Sequence, residues 1–341
     1  MKTVVFESDI IEQEVKPHNK LNIFRELLSK EVQEKIAKPE KLEACHCPAC
    51  TSNRSEAAFE KFHLIYLQCR RCKSLYVSPR PSDVVLIDFY RYSKAWGFWR
   101  EQILPDTREF RRKKIFYPRA RWLLDLFDEY RPDAKLGVVV GYHSDLLIEA
   151  LLNLEPDLFQ LIVANPIADL ELAHGDRRRV IVEPVSSYAV EGIESVDVVI
   201  AFDLLDRCSD IDLFFNSACR SLKPGGLLIT STILTGFDVL VLWDRSENIY
   251  PPDRINLFST EGLTYITERY GFELLELSTP GRFDTESVHR AVRSSPEYEW
   301  PRFIRYLFEN RDETAFGEFQ EYLQKFRLSS FGRLVLRKPD Y

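Results

Sequence analysis

Two stretches that lie close together in the sequence decide the fold. Residues 197–205 read DVVIAFDLL, and residues 222–229 read LKPGGLLI. The first stretch is an apolar run that ends on an acid, which is typical of a buried strand and the loop that follows it. In the second, Pro224 stops a helix, while Gly225 and Gly226 permit the positive φ of the turn that launches the next strand. Together they predict two neighbouring strands joined by a helix.

The same alternation of strand and helix extends over the second half of the chain. From Lys135 onward, short apolar segments are separated by amphipathic ones. The predicted strands are residues 136–141, 160–165, 179–183, 196–202, 226–232, 272–277 and 333–337. This pattern predicts an α/β domain over residues 133–341, with a mostly parallel sheet and a helical insert at about 296–326. In such sheets ligands bind outside the carboxyl ends of the strands.

A pair of CxxC motifs precedes this domain. They are Cys47-Pro48-Ala49-Cys50 and Cys69-Arg70-Arg71-Cys72. Each motif aims two sulfurs at one ion, so the four thiolates can form a closed tetrahedral shell for zinc. A closed shell leaves no position for water, and the predicted zinc is therefore structural. Cys45 and His46 stay open as replacement ligands, and four reduced core cysteines are the alternative without metal.

These motifs divide the first part of the chain into three regions. Residues 1–44 form a predicted helical arm, 45–82 the zinc ribbon and 83–132 a helical linker rich in aromatic residues. Within the ribbon, residues 59–68 are predicted to form one strand between the two cysteine motifs. The aromatic side chains of the linker are predicted to pack between the ribbon and the following domain.

Composition excludes several classes of protein. The chain has 341 residues, 45% hydrophobic and 29% charged, with a formal net charge of −7. An acidic balance argues against nucleic-acid binding, because phosphate neutralisation needs a basic face. No apolar run of membrane-spanning length and no secretory signal are found. Seven cysteines, an odd number, agree with a reducing compartment. We therefore expect a cytoplasmic protein that contacts neither nucleic acid nor membrane.

Beyond these patterns, the chain resembles the class I S-adenosylmethionine (SAM) dependent methyltransferases that carry an amino-terminal zinc ribbon. Residues 69–81 look like the family's cysteine knuckle and Pro-x-Pro exit, and DVVIAFDLL and LKPGGLLI look like its fourth strand and the turn into its fifth. The resemblance implies a Rossmann-like seven-stranded methyltransferase sheet whose last strand is antiparallel. It also implies methylation of a sugar or another small polar metabolite.

The resemblance places the cofactor at the end of the first strand of this domain. SAM is expected to lie across residues 141–145, with Gly141 and Asp145 at the loop, Asn165 near the ribose and Asp203 facing the transferring methyl group. Here the sequence departs from the family. Val139 stands where the family has an acid, Asp145 and its neighbour His143 put side chains where the cofactor needs bare backbone, and the ribose-binding acid is replaced by Asn165. We therefore expect weak SAM binding.

Candidate catalytic residues lie on two loops. His143 belongs to the loop after the first strand of the domain, and Tyr250, Asp253 and Arg254 belong to residues 248–254, a predicted lid or acceptor loop. A base is needed where the acceptor must lose a proton during methyl transfer. Turn capping or a structural salt bridge is the alternative role for each of these side chains.

Two functions from different classes follow. The first is an active SAM-dependent methyltransferase with an unusual cofactor loop and a small-molecule acceptor. The second is a pseudo-methyltransferase, a binding or scaffold protein with a protein partner, which kept the sheet and the ribbon but lost the cofactor. A fold does not dictate activity, so the sequence pattern leaves both open.

Overall fold

The computed structural model describes residues 12–141, 144–165, 180–184, 190 and 193–340. In the part that precedes the large sheet, the strands are β1 (Leu42–Glu43), β2 (Ser55–Lys61), β3 (Leu64–Cys69), β4 (Leu75–Val77) and β5 (Arg80–Pro81). The strands that follow are β6 (Leu136–Val140), β7 (Gln160–Asn165), β8 (Val180–Pro184), β9 (Val196–Ala201), β10 (Leu222–Ile233), β11 (Asn256–Leu257), β12 (Glu273–Ser278) and β13 (Phe331–Arg337).

The helices surround these strands. Before the large sheet they are α1 (Glu12–Val15), α2 (His18–Lys35), α3 (Asp83–Tyr92), α4 (Lys94–Phe98), α5 (Leu104–Arg111) and α6 (Tyr117–Tyr130). Within and after it they are α7 (Ser144–Leu154), α8 (Ile211–Ser221), α9 (Phe237–Leu242), α10 (Thr260–Arg269), α11 (Asp284–Ser294), α12 (Arg302–Asn310) and α13 (Glu313–Lys325). Short 3₁₀ turns lie at Pro39–Lys41 and Trp243–Arg245, and π-helical turns at Trp99–Ile103 and Arg112–Phe116.

The central sheet has the predicted topology. Within the described residues it has seven strands in the order β12-β13-β10-β9-β6-β7-β8. The pairs β10–β9, β9–β6, β6–β7 and β7–β8 are parallel, while β13 runs antiparallel to both β10 and β12. The Rossmann-like α/β prediction and the antiparallel last strand are therefore confirmed. Every residue of β9 is buried, as expected of a parallel strand with both faces covered.

A salt bridge joins the two stretches that decide the fold. Lys223 Nζ lies 2.9 and 3.0 Å from the two carboxylate oxygens of Asp197, which also accept hydrogen bonds from the backbone of Lys135 and Leu136. Gly225 adopts φ +69° in the turn. The ladder between β9 and β10 shifts register between Leu222 and Leu227, so β10 starts four residues before the predicted 226.

The ribbon contains a hairpin where one strand is predicted, followed by the short strands β4 and β5. A single strand over residues 59–68 is wrong: β2 and β3 form an antiparallel hairpin in which Lys61 pairs with Leu64. Phe62 and His63 make the turn with φ +47° and +64°. Positive φ at both central residues is usually signalled by Asn-Gly or a similar pair, and Phe-His carries no such signal.

The helical arm, the aromatic linker and the ribbon share one core. Phe24 of α2 meets Trp96 and Trp99 edge to face at 5.2 Å, and Tyr250 at 5.9 Å. Apolar residues of β3 and β4 complete this cluster, so the aromatic linker packs against the ribbon as predicted. The arm is thereby brought against the segment at residues 248–254, far away in sequence. None of the helices in the described ranges is long and apolar enough to cross a membrane.

Candidate functional site

The four cysteines of the CxxC motifs come together as one buried cluster. Their sulfurs all lie within 4.8 Å of one another. Cys47 Sγ is 3.5 Å from Cys72 Sγ, and Cys50 Sγ is 3.5 Å from Cys69 Sγ. We call these four residues the cysteine cluster. Cys45 lies outside it, with its sulfur 3.8 Å from the carbonyl of Val77.

The two cysteine motifs have the same backbone geometry. The amide of Thr51 donates to the carbonyl of Cys47, and the amide of Lys73 donates to that of Cys69, both at 2.9 Å. Thr51 and Lys73 have φ +58° and +64°, so each knuckle closes through one left-handed residue. Four soft sulfur donors in two symmetric knuckles are the ligand set and geometry of a structural zinc site. The cluster could therefore hold zinc.

Helix α10 fixes the cluster against the large domain. The Ser259 hydroxyl donates to the carbonyl of Cys72, and the Ser259 amide donates to Ser74 Oγ at 3.0 Å. At the other end of the helix, the Arg269 guanidinium donates to the carbonyls of Ala49 and Pro48 at 3.2 and 3.1 Å. Both knuckles are thus hydrogen-bonded to α10 and to the residue that precedes it.

Three of the predicted cofactor positions lie at one edge of the sheet. Val140 pairs with Ala164, so Gly141 and Asn165 follow at the carboxyl ends of neighbouring strands. Gly141 is buried with φ +114°, and a Cβ there would lie 3.4 Å from the carbonyl oxygen of Phe202. Asp203 is the next residue after Phe202. Gly141 is the single glycine in residues 141–145, and its backbone conformation is one that other residues rarely adopt.

Asp145, the fourth predicted cofactor position, is ion-paired with a helix that precedes the sheet. It lies in the first turn of α7, and its carboxylate is 3.0 Å from Arg108 Nη1 on α5. Arg108 also reaches Glu149 one turn further along α7, at 3.5 Å. The contacts of Asp145 are those of a helix-to-helix ion pair. His143 lies outside the described residues, and the side chain of Asn165 does too, so their roles stay predictions.

Asp203 is held in a strained conformation by a dense network. Its φ is +53°, and its amide donates to Ser231 Oγ and to the Ser231 carbonyl at 3.0 and 3.1 Å. Arg119 of α6 donates to its carboxylate at 2.9 Å. Burial alone would raise the pKa of Asp203, but the Arg119 guanidinium holds that pKa well below its usual range. Asp203 is therefore an anion at any physiological pH.

The predicted lid at residues 248–254 is a packed segment. Asp253 is ion-paired with Arg207 at 2.6 Å, and Arg254 is ion-paired with Asp206. Burial raises the pKa of the Tyr250 phenol above its usual range, so this group stays protonated. Tyr250 and Arg254 reach the pocket described next, whereas Asp253 does not. Tyr250 is protonated, Arg254 is a cation, and Asp253 is paired with Arg207. The segment is therefore better suited to shape the pocket than to accept a proton.

A pocket of about 240 Å³ opens beside Asp203, across the carboxyl ends of β9 and β10 and the start of β13. This volume is near the lower end of small-molecule sites. We call it the charged pocket, because charged side chains from distant parts of the chain line it. They are Lys16, Arg119, Asp203, Asp238, Arg254, Arg282, Asp284 and Arg333.

Asp238 contrasts with Asp203 in the same pocket. Its Oδ2 accepts a hydrogen bond from Asn248 at 2.8 Å, while its buried Oδ1 has no partner in hydrogen-bond geometry within the described chain. The side chain of Ser330 is near enough to lower the pKa of Asp238. Burial and the neighbouring Asp284 raise the pKa of Asp238 to about 6. The pKa of Asp203 is lowered and that of Asp238 is raised in the same pocket. In enzyme active sites, a pair of titratable groups with such opposite shifts indicates which group acts as acid and which as base.

Sequence patterns missed most of this pocket. Lys16, Arg119, Asp238, Arg282 and Arg333 each stand alone in the sequence, without a motif around them. Lys16 comes from the arm, for which no chemistry was predicted, and its ammonium is 2.6 Å from Asn248 Oδ1. A buried Asp in a short helix after a sheet strand is the sole local signal, and it is a weak one.

A comparison with known proteins identifies the family of the chain. A family model described as a methyltransferase domain matches residues 73–277, more than half of the 341 residues. The chain belongs to this methyltransferase family. It is a SAM-dependent methyltransferase, and SAM is the cofactor expected for its fold.

Individual relatives of the methyltransferase are distant. The ubiquinone biosynthesis O-methyltransferase of Bartonella tribocorum is 22% identical over 204 residues, which cover 53% of this chain and 82% of that protein. A SAM-dependent methyltransferase of Thermotoga maritima is 17% identical, with 71% of this chain and 99% of that chain covered and a TM-score of 0.43. A Galdieria sulphuraria protein described as a sarcosine dimethylglycine methyltransferase is 14% identical, with coverages of 65% and 86% and a TM-score of 0.44.

Proposed function

We propose that this methyltransferase transfers the methyl group of SAM to a hydroxyl oxygen of a small polar metabolite, such as a sugar, that binds in the charged pocket. The observation that carries the proposal is Asp238, a buried carboxylate with an unused oxygen and a pKa of about 6 in that pocket. A hydroxyl must lose its proton during methyl transfer, and a base whose pKa lies just below the working pH suits this step. The O-methyltransferase among the relatives supports the choice of oxygen.

The cofactor position rests on the sheet edge described above. The conformation of Gly141 and the alignment of Asn165 beside it fit a ligand that approaches bare backbone, and Asp203 stands between this edge and the charged pocket. These three residues would hold SAM, and bound SAM supplies an electrophilic methyl group. Because Asn165 carries no charge, the ribose contact is weaker than with an acid, and we expect weak binding.

The protein's own contribution is positioning and proton transfer. In-line displacement needs the donor and acceptor atoms in contact, and enclosure by the packed segment at residues 248–254 holds the acceptor in place. Asp238 Oδ1 accepts the hydroxyl proton, while Asn248 keeps the other carboxylate oxygen fixed at 2.8 Å. Asp203 is bound to Arg119 and stays ionised, so it stabilises positive charge near the methyl group rather than carrying protons.

Zinc in the cysteine cluster is the second part of the proposal. Four thiolates would close the metal shell, so the ion would take no part in methyl transfer. Its role would be to hold β2, β3 and the knuckles in place beneath α10. The ribbon by itself has too little apolar core to stay folded without such a link.

Calorimetric titration of the full chain with SAM and with S-adenosylhomocysteine tests the cofactor. We expect saturable binding of both. Absence of binding by either compound would overturn the proposal in favour of the scaffold function, in which a protein partner replaces the substrate.

A pH profile of methyl transfer to candidate hydroxyl acceptors tests the base. We expect the rate to rise with an apparent pKa of about 6, since Asp238 must be ionised. Asp238→Asn should lower the rate by about 10²-fold or more and leave S-adenosylhomocysteine binding intact. Asp244→Asn, a change of an exposed acid of the same region, is the matched control. An unchanged rate for Asp238→Asn would show that another group takes the proton.

A further inference from the structure

The charged pocket carries an excess of positive charge. Five cationic side chains line it, from Lys16, Arg119, Arg254, Arg282 and Arg333, against three carboxylates, from Asp203, Asp238 and Asp284. Five minus three gives a net charge of +2 with every group ionised, whereas the chain as a whole has a net charge of −7. Two of the cations, Lys16 and Arg254, are also ion-paired with Glu12 and Asp206, which lie outside the lining. The remaining cationic group of the pocket is the cluster of Arg119, Arg282 and Arg333.

Two of the three carboxylates in the pocket, Asp284 and Asp203, are bound by other parts of the fold. Asp284 accepts hydrogen bonds from Gln320 Nε2, Ser329 Oγ and the Ser330 amide, at 2.8, 2.5 and 2.7 Å. It thereby ties α11 to α13 and to the start of β13. Asp203 is bound to Arg119. Neither carboxylate is placed to act as a mobile partner for an incoming cation.

Three of the arginines crowd one another. Burial, together with the nearby guanidiniums of Arg119 and Arg282, lowers the pKa of Arg333 to about 9, although the carboxylates of Asp203 and Glu276 act in the opposite direction. Burial and Arg119 also lower the pKa of Arg282. Like charges brought together out of water are unfavourable, and a bound anion relieves both the repulsion and the desolvation.

Aromatic rings lie against the guanidiniums of Arg333 and Arg119. Arg333 lies over the Trp122 ring at 4.6 Å. Arg119 lies over Phe202 and Phe331 at 5.3 and 5.4 Å. A ring face restricts how a guanidinium can turn. Both Nη atoms of Arg119 donate to Asp203, at 2.9 and 3.5 Å, so Arg119 contributes its charge to an incoming anion, while its fork is already engaged. Planar forks of this kind match the oxygens of carboxylates and phosphates in a bidentate manner.

We infer that the acceptor carries a compact oxyanion, a phosphate or a carboxylate, which binds to Arg119, Arg282 and Arg333. This inference rests on the proposed function, because it assigns the charged pocket to the acceptor. Arg119 borders the cofactor edge through its ion pair with Asp203, whereas the sheet topology separates Arg333 from Gly141. Arg333 is on β13, and two strands, β10 and β9, lie between it and the strand that ends at Gly141. Three strand spacings amount to about 14 Å, too far for one small anion to reach both.

The test uses the full chain, purified without chelator, and three salts at equal ionic strength: sodium phosphate, sodium acetate and sodium chloride. Thermal unfolding is followed in each. Phosphate or acetate should raise the unfolding midpoint above that in chloride, since an anion that binds only the folded chain stabilises it. Phosphate also stabilises proteins without binding, because it is excluded from their surface, so only the part of each shift that is lost in Arg282→Gln counts as binding. A larger shift of this kind in phosphate indicates a phosphate group on the acceptor, and a larger one in acetate indicates a carboxylate. Equal midpoints in all three salts would overturn the inference.

Variants locate the effect in the pocket. Arg282→Gln, at a half-buried loop position, should weaken phosphate or acetate binding by about tenfold or more. Arg333→Lys keeps the charge and loses the fork, so it should weaken binding less than Arg282→Gln and report on the cluster even if a neutral residue at 333 disturbs folding. Arg305→Gln, on the exposed side of α12, is the control and should bind as the parent does. Equal anion binding by Arg282→Gln and the parent would contradict the inference.

Titration with S-adenosylhomocysteine separates the two proposals. If it binds the parent but no anion does, the inference fails and the methyltransferase proposal stands. If the anions bind through Arg282 and S-adenosylhomocysteine does not bind, the proposed function fails, and with it the assignment of the anion to an acceptor. If Arg282→Gln weakens S-adenosylhomocysteine as much as phosphate, the cluster serves the cofactor, and the inference is wrong.

Discussion

The cysteine cluster and the charged pocket are both buried and both depend on exact side-chain placement, yet they are built in opposite ways. The cluster draws its ligands from two short motifs within residues 47–72, each folded into the same knuckle. The pocket draws its charges from Lys16 at one end of the chain to Arg333 near the other. A local motif makes the first site, and only the assembled tertiary structure makes the second.

The two sites also differ in what they do to stability. A metal bound by four thiolates contributes folding free energy, because the unfolded chain holds no such site. The charged pocket holds like charges and a carboxylate of raised pKa, which oppose folding. The contrast predicts that changes in the cluster unfold the protein, whereas some changes in the pocket stabilise it while function is lost.

The largest expected effect tests the cluster. Cys69→Ser removes one of four ligands, and we expect loss of the metal and a drop of about 5 kcal/mol or more in the free energy of unfolding. The measurements are metal content by mass spectrometry and unfolding in urea. The parent should hold one zinc per chain. Cys45→Ser, next to the cluster but outside it, should keep both metal and stability. Metal retained by Cys69→Ser would refute the four-cysteine site.

A change in the opposite direction is expected from the pocket. Asp238→Asn should raise the free energy of unfolding at pH 8 by about 2 kcal/mol, because ionising this carboxyl is unfavourable in the folded state. Its pKa is raised on folding, so the penalty is absent below about pH 4 and complete above about pH 7. The gain in stability of Asp238→Asn over the parent should therefore appear between about pH 4 and pH 7. Burial and the charge of Asp284 raise the pKa of Asp238, while hydrogen bonds from Ser330 and Asn248 and the charge of Lys16 lower it.

Urea unfolding of the parent and Asp238→Asn across this pH range is the measurement. The exposed Asp244→Asn change should alter stability little at any pH. A gain for Asp238→Asn that is equal at pH 4 and pH 8 would mean that packing, and not ionisation, is responsible.

The ion pair between Arg119 and Asp203 should make stability depend on pH in the opposite direction from Asp238, because the pKa of Asp203 is lowered on folding. Arg119→Met removes the ion-pair partner of Asp203 and leaves only the more distant Arg207 and Arg254 to stabilise its charge, so we expect a loss of about 2 kcal/mol at pH 7. The pKa of Asp203 is lowered on folding, so its stabilisation is present above the unfolded pKa of about 4 and is lost as the pH falls further. The difference between Arg119→Met and the parent should therefore shrink below about pH 4. Arg121→Met, exposed on the same helix, is the control.

The smallest expected effect concerns the cofactor edge. Gly141→Ala forces a side chain into φ +114°, which should cost about 1 kcal/mol of stability and weaken S-adenosylhomocysteine binding. Gly97→Ala in α4, where a Cβ meets nothing within 4 Å, should leave binding unchanged and raise stability slightly. Both effects are read from calorimetry and thermal unfolding. Undiminished binding by Gly141→Ala would place the cofactor elsewhere.

Sequence patterns predicted what depends on local periodicity and spacing. The strands of the large sheet, the antiparallel β13 implied by the family resemblance, and the gathering of the four cysteines are all observed. Apolar alternation and paired motifs report on contacts that each segment must make wherever it lies. The hairpin turn at Phe62 and His63 was missed because those residues carry no turn signal, although their backbone takes positive φ.

The charged pocket could be decided only by the tertiary structure. Arg119 meets Asp203 because α6 packs beside the end of β9, and Lys16 meets Asn248 because the arm packs on the segment at residues 248–254. Isolated charged residues have no periodicity, and their pKa values depend on burial and on neighbours that are distant in sequence. The sequence by itself thus determined the sheet and the cysteine cluster, while long-range packing determined which charges face one another and which carboxyl groups have shifted pKa values.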